Sequence, residues 1–238
     1  MPFTREQLRR PPLVEALLEV QASPTVPYPL VPGALNQRLS KTYPHAEQVH
    51  TFAVGDIQLQ MPPTVATIRL KSPDGKRLVQ IGPEVLTVNM VGDYGQYETF
   101  QAAMRDALDA FYEIARPGPP RRLGIRYINL VEERFLSGRD PLHIDASFPG
   151  TVLPEKKAFG MRAVFPFGDA HGELAIAAAR PHALADGRTG CLLDFDFFST
   201  NPGEMTVAQI LAWAKEAHDV IYQAFRASLG ASTYSQLL

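Results

Sequence analysis

Between Arg77 and Arg116 the spacing of hydrophobic residues changes period. RLVQIG and EVLTVN read as two strands joined by a tight turn at Gly82-Pro83. After a short polar loop, Phe100, Met104, Ala107, Leu108, Phe111 and Ile114 recur at intervals of three and four. Side chains of a strand alternate between two faces, whereas one face of a helix returns every three to four residues. The spacing therefore predicts strand, strand and then a long amphipathic helix over about Tyr97 to Ala115. Pro117, Gly118, Pro119 and Pro120 end that helix and mark an internal boundary.

The same reading extends along the chain. Thr4 to Arg10 predicts a helical turn stopped by Pro11-Pro12, and Val14 to Gln21 a strand with Val14, Ala16, Leu18 and Val20 on one side and Glu15, Glu19 and Gln21 on the other. Leu17 breaks that alternation. A helix is expected from Gly33 to Tyr43, stopped by Pro44, then strands over Asp56 to Met61 and Val65 to Lys71. Asp74-Gly75 carries a hairpin signal, since a type I′ turn needs positive φ. Arg121 to Glu133 predicts a strand, Ser137 to Lys157 a loop, and Met161 to Phe167 and Glu173 to Ala179 two further strands. PHALADGRTG, from Pro181 to Gly190, looks irregular. Cys191 to Phe198 alternates as a strand, and a last helix runs from about Thr206 to Leu229 with Gly230 as its C′ residue.

The two long helices overlay with an offset of 110 (217 − 107 = 110), which sets Ala107 on Ala217, Asp109 on Asp219, Tyr112 on Tyr222 and Arg116 on Arg226. The same offset carries Val14 onto Gly124 and Leu13 onto Leu123. These matches predict an α+β fold of two pseudo-repeated halves, residues 1–116 and 117–238, packed intimately or as a single domain. Each half is expected to be a mainly antiparallel sheet packed by one long amphipathic helix. Short turns favour antiparallel pairing, and the helices are too few for parallel crossovers.

Composition narrows the function classes. The 23 basic and 25 acidic residues leave a formal net charge of −2, which gives no whole-chain signature for nucleic acid or anionic lipid. No run approaches the roughly 18 apolar residues of a membrane span, and the charged N-terminus lacks the apolar core of a secretory signal. A cytoplasmic location is the expectation. Cys191 is the single cysteine, so no intramolecular disulfide forms, and its apolar alternation makes it a small core residue.

Polar residues recur on one side of several strands: Glu15, Glu19, Arg69, Lys71, Arg126, Asp194 and Asp196. They define a candidate binding face, open to water or folded into a groove. Asp194 and Asp196 stand two apart on a strand, placing their carboxylates on one face roughly 7 Å apart. That spacing suits a cation or acid–base chemistry; the plainer reading is a solvated face whose acids pair across strands with Arg126 or Arg69. His218 lies within the apolar stripe of the last helix and reads as a semi-buried, satisfied residue. His171 with Glu173, and His45 with His50, lack the spacing of a metal motif, so neither metal nor cofactor is expected. Tyr94, Tyr97 and Phe100, with Asp93 and Glu98, gather at the entry to the first long helix, as a ligand clamp or, more simply, as packing with acids complementing the helix dipole. Nucleotide and nucleophile motifs are missing.

PPLVEALLEVQ, then RLVQIGPEVLTVN with the YGQYETF entry into the long helix, then RRLGIRYINLV, resemble the signatures of a sporadically distributed family of uncharacterised bacterial proteins. The resemblance covers residues 11 to about 132 and implies a bacterial, cytoplasmic, two-part α+β protein; it carries no catalytic residues with it. The function expected is therefore a non-catalytic binding or interaction protein that takes an unknown protein or small molecule on the polar face or between the halves. An enzyme built around Asp194, Asp196 and Arg126 is the alternative, and the balance leans away from catalysis. A DNA-binding saddle conflicts with the acids on the same face. Edge strands of two open sheets admit a homodimer.

Overall fold

The computed structural model describes residues 8–48, 68–92, 95–136, 142–144, 158–168 and 172–238. Its centre is an antiparallel sheet of nine strands: β1 (Leu13–Gln21), β2 (His45–Gln48), β3 (Ile68–Lys71), β4 (Arg77–Gly82), β5 (Val85–Val91), β6 (Arg122–Glu132), β7 (Phe159–Phe167), β8 (Gly172–Ala183) and β9 (Thr189–Thr200). Their order across the sheet is β2-β3-β4-β5-β1-β6-β9-β8-β7. Among the described residues there are four α-helices: α1 (Val31–Leu39), α2 (Tyr97–Ala115), α3 (Val207–Ser228) and α4 (Ala231–Leu237). The α+β class and the antiparallel pairing agree with the pattern of the sequence.

One face of the sheet packs the core. Ala16, Leu18 and Val20 of β1, Leu86 and Val88 of β5, Leu123 and Ile125 of β6, and Phe195 and Phe197 of β9 are buried in one cluster with the apolar stripes of α2 and α3. Phe195 meets Phe225 edge to face at 6.2 Å, and Phe197 lies 5.9 Å from Trp213. The opposite face of the same strands is polar. No helix among the described residues is long and apolar enough to cross a membrane.

β1 and β6 are neighbours, paired from Leu13 and Asn129 to Gln21 and Arg122. The boundary expected at residue 116 is thus a turn between elements and no break in the sheet. Arg116 itself takes a left-handed conformation (φ 45) at the end of α2. At the far end, Arg10 donates its backbone N–H to the Leu237 carbonyl, so the first and last described segments are tied together.

Several boundaries differ from the sequence reading, each for a physical reason. The strand at His45–Gln48 was hidden because three of its four residues are exposed, and its only signature is pairing with β3. The first helix starts at Val31, directly after a 3-10 turn over Tyr28–Leu30, and ends at Leu39. PHALADGRTG is irregular only in its middle: β8 continues to Ala183 and β9 begins at Thr189, and a register shift between Ala179 and His182 accommodates Pro181. Gly230 follows the Leu229 C-cap of α3, the C′ place expected for it, but not in a left-handed turn. Its φ of −64 makes it the residue that launches α4. Thr206 caps α3 through a capping box, its hydroxyl accepting from the Gln209 amide while the Gln209 side chain accepts from Thr206. Leu8 to Arg10 are described and form no helix; the rest of the helical turn expected at Thr4–Arg10, the strand at Asp56–Met61, most of the loop at Ser137–Lys157, and His50, Asp93, Tyr94 and His171 lie outside the described residues.

Candidate functional site: a bonded polar face

The seven residues Glu15, Glu19, Arg69, Lys71, Arg126, Asp194 and Asp196 all sit on the sheet face that carries no described helix, and the structure ties them into three separate groups. The first is a row of hydrogen bonds crossing five adjacent strands. Lys71 Nζ lies 2.8 Å from Glu47 Oε2, and Arg69 Nη1 donates to Glu47 Oε1 at 3.1 Å. Arg69 Nε donates to Gln80 Oε1 at 2.9 Å, Gln80 Nε2 to Asn89 Oδ1 at 3.0 Å, and Asn89 Nδ2 to Glu15 Oε1 at 2.6 Å. Thr87 Oγ1 also donates to Asn89 Oδ1, at 3.0 Å. Every amide in this row points its N–H toward Glu15. Bonds aligned in this way polarise one another, so the positive charge of Arg69 is felt by Glu15 through two side-chain amides.

The second group is a buried ion pair. Arg126 donates from Nε to Asp194 Oδ1 at 2.7 Å and from Nη2 to Asp194 Oδ2 at 2.5 Å. Both residues are almost fully buried, Arg126 at 5% and Asp194 at 3% exposed. Directly across from Arg126 in the strand register is Asp196, not Asp194. The bidentate fork is therefore diagonal, a geometry that guanidinium and carboxylate share. Asp194 and Asp196 are bonded by different arginines, Arg126 and Arg122.

Asp196 belongs to the third group. Arg122 donates to Glu19 Oε1 at 2.6 Å and to Asp196 Oδ2 at 2.9 Å, bridging β1 and β9 from the strand between them. Gln21 adds a bond to Glu19 at 2.9 Å. Gly124 makes this reach feasible: a Cβ there would stand 2.5 Å from Arg122 Nη1. Gly124→Ala is expected to push the guanidinium off Glu19, which is only 2% exposed. Because the obstacle is the flexible end of a side chain, the loss should be about 1 kcal/mol, read from the urea midpoint.

The face is thus less solvated than alternation alone implies, and its acids do pair across strands. Arg122, Glu47, Gln80, Thr87 and Asn89 were missed as members. Gln80 and Asn89 were legible, because each alternates out of phase with its apolar neighbours Val79, Ile81, Val88 and Met90. Burial sets the electrostatics. It raises the Glu15 carboxyl above its ordinary value, against the opposing bond from Asn89 and the charges of Arg126 and Arg69. It likewise raises Asp196, against Arg122 and Arg126. At the rim the opposite holds: donation from Lys71 and Arg69 keeps Glu47 below the usual carboxylate range.

The raised Glu15 value has a definite sign for stability. A carboxyl that titrates higher in the folded chain favours folding most below its ordinary value of 4.5, and that contribution is lost as pH rises through the raised value. Glu15→Gln keeps an acceptor for Asn89 and removes the ionisation. Its urea midpoint should exceed that of the wild type at about pH 7, with the difference closing at about pH 3.

Other singled-out residues fall elsewhere. His218 is buried on the helix side, stacked on Tyr97 at 4.3 Å and tilted against Tyr127 at 5.2 Å. Tyr97 and Phe100 are core residues. His45 is exposed on β2 and Glu173 lies on β8. Cys191 is buried, and burial pushes its thiol up to about 12, so it stays protonated and unreactive. A separate cleft of about 380 Å³ lies between the end of α2 and the start of α3, lined by Tyr112, Pro117, Pro120, Met205, Thr206 and Gln209 among others. Among the described residues no group of three or more His, Cys, Asp or Glu side chains is placed to hold a metal ion. No family model matches the chain, and no curated protein matches it in sequence.

Proposed function

We propose that this chain is a non-catalytic recognition protein of the bacterial cytoplasm that binds a small molecule or a protein partner on the polar sheet face. The observation that carries this reading is the bonded row from Glu47 to Glu15, which holds polar side chains in fixed orientation across β2, β3, β4, β5 and β1. Preorganised polar groups lower the entropy lost when a partner is ordered against them. The resemblance to a sporadically distributed bacterial family agrees with this reading.

The reading includes a duplication. The sheet order is symmetric about the β1–β6 junction: β5, β4 and β3 step outward on one side, and β9, β8 and β7 on the other. In each half a central strand comes first, a meander returns inward from the edge, and a long helix follows. The offset of 110 fits the helices, setting Tyr97, the first residue of α2, on Val207, the first of α3. It fails in the strands, where it sets the helix-facing Ala16 on Arg126 of the polar face. Strand overlap needs an odd offset, and a bulge between Leu13 and Glu15 accounts for the agreement at Leu13. Among the described residues the outermost strands of the sheet are β2 and β7, and a homodimer would form there.

The test is a thermal-shift screen of a metabolite library against the wild type, Asp196→Asn, and Lys215→Ala on the outer surface of α3. Compounds that stabilise the wild type should lose their effect in Asp196→Asn and keep it in Lys215→Ala. The raised carboxyls of Glu15 and Asp196 favour a second reading, an enzyme using acid–base chemistry on this face. Both oxygens of Asp194 are held by Arg126, which weighs against that acid as a participant. Turnover of a hydrolase or transferase panel that disappears in Asp196→Asn would establish the enzyme and end the first reading.

A further inference from the structure

Among the described residues the groups bonded into the polar face do not balance. They comprise five carboxylates, Glu15, Glu19, Glu47, Asp194 and Asp196, and four cations, Arg69, Lys71, Arg122 and Arg126. Each of the other four acids has a cation in contact. Among the described residues Glu15 alone has none: its single hydrogen bond comes from the neutral amide of Asn89, on one oxygen, and its second oxygen accepts none. A carboxylate only partly open to water normally pairs with a cation or stays neutral.

The surroundings of that free oxygen are apolar. In the strand register Glu15 lies between Val91 of β5 and Ile128 of β6, with Leu17 next on the same face. Ile128 and Leu17 are buried, while Val91 is 39% exposed and Glu15 keeps partial exposure. The position is therefore a carboxylate reachable from outside, backed by aliphatic side chains and fixed in place by Asn89. We infer that Glu15 is the anchor for a ligand with a primary ammonium group on a short aliphatic chain, the ammonium taking the unused carboxylate oxygen and the chain lying along the exposed Val91. This inference rests on the recognition reading and names its ligand class. Single-point ammonium recognition is consistent with the single anchoring acid; a divalent metal would demand more oxygen ligands.

Full-length protein is titrated with n-pentylamine, with n-pentanol, pentanoate and inorganic phosphate as comparison probes, following the unfolding temperature and the NMR signal of the Glu15 carboxyl carbon. Pentylamine alone should raise the unfolding temperature saturably and move the Glu15 signal, and Glu15→Gln should bind it about tenfold more weakly. Because Glu15→Gln is expected to fold at least as well as the wild type, loss of binding there is not loss of structure. Equal pentylamine affinity in wild type and Glu15→Gln overturns the inference. So does stabilisation by pentanoate or phosphate without pentylamine, an outcome that leaves the recognition reading standing with an anionic ligand. If none of the four probes acts, the ammonium inference is wrong, and the metabolite screen with Asp196→Asn decides the recognition reading separately.

Discussion

Arg126→Ala should lower stability by about 3–5 kcal/mol, the largest loss of any single substitution on the polar face. Among the described residues Arg126 is the only hydrogen-bonding partner of Asp194, and it occupies both carboxylate oxygens. Removing the guanidinium leaves a carboxylate that is 3% exposed with no other hydrogen-bonding partner among the described residues. The cost is that of an isolated buried charge, which exceeds the net worth of the pair itself. The distinction is measurable. Replacing both partners with apolar residues of similar size, Arg126→Met with Asp194→Leu, should recover most of the lost stability in urea melts, since neither then strands a charge. If the double variant is as unstable as the single one, the pair contributes through geometry and not charge balance. If Arg126→Ala is nearly neutral, Asp194 is solvated far better than its exposure indicates.

How far the sequence reaches is clear from particular residues. Alternation around Ala16, Leu18 and Val20, and around Phe195 and Phe197, was sufficient to find the core face, because side-chain period in a strand is fixed by backbone geometry. It also placed Glu15, Glu19, Arg126, Asp194 and Asp196 together on the other face. The partners on that face were harder to foresee. Arg126 stands opposite Asp196 in the register yet bonds to Asp194, and Arg122 reaches Asp196 only by lying over Gly124. Those choices depend on side-chain reach across three strands, which a one-dimensional pattern does not encode. β2 escaped for a related reason: HAEQ has no apolar rhythm, and pairing with Lys71, Leu70, Arg69 and Ile68 makes it a strand. Pro181 misled in the opposite sense, because a bulge lets the strand continue past a residue that ordinarily ends one.

Three glycines distinguish steric necessity from habit. Gly190→Ala should destabilise by about 1–3 kcal/mol or more, the second large effect expected. Gly190 pairs with Glu132 on β6 and with His182 on β8, so backbone flanks it on both sides. A Cβ there would fall deep inside van der Waals contact with the Val131 carbonyl oxygen and 2.7 Å from Glu132 Cα. Neither atom can rotate away, so β9 must shift relative to β6, disturbing the strand pair on which Arg126 and Asp194 meet. At Gly124 the same added methyl meets a movable guanidinium, and at Gly33 in α1 it meets nothing within 4 Å. Gly33→Ala should therefore stabilise, by about 0.5–1 kcal/mol, through helix propensity alone. The ordering Gly190 below Gly124 below Gly33 in urea midpoint, with amide exchange in Gly190→Ala accelerated first along β6 and β9, is the expected result. Equal midpoints for Gly190→Ala and Gly124→Ala would mean that the β6–β9 ladder yields as readily as a side chain, and the rigid placement of Asp194 against Arg126 would lose its support.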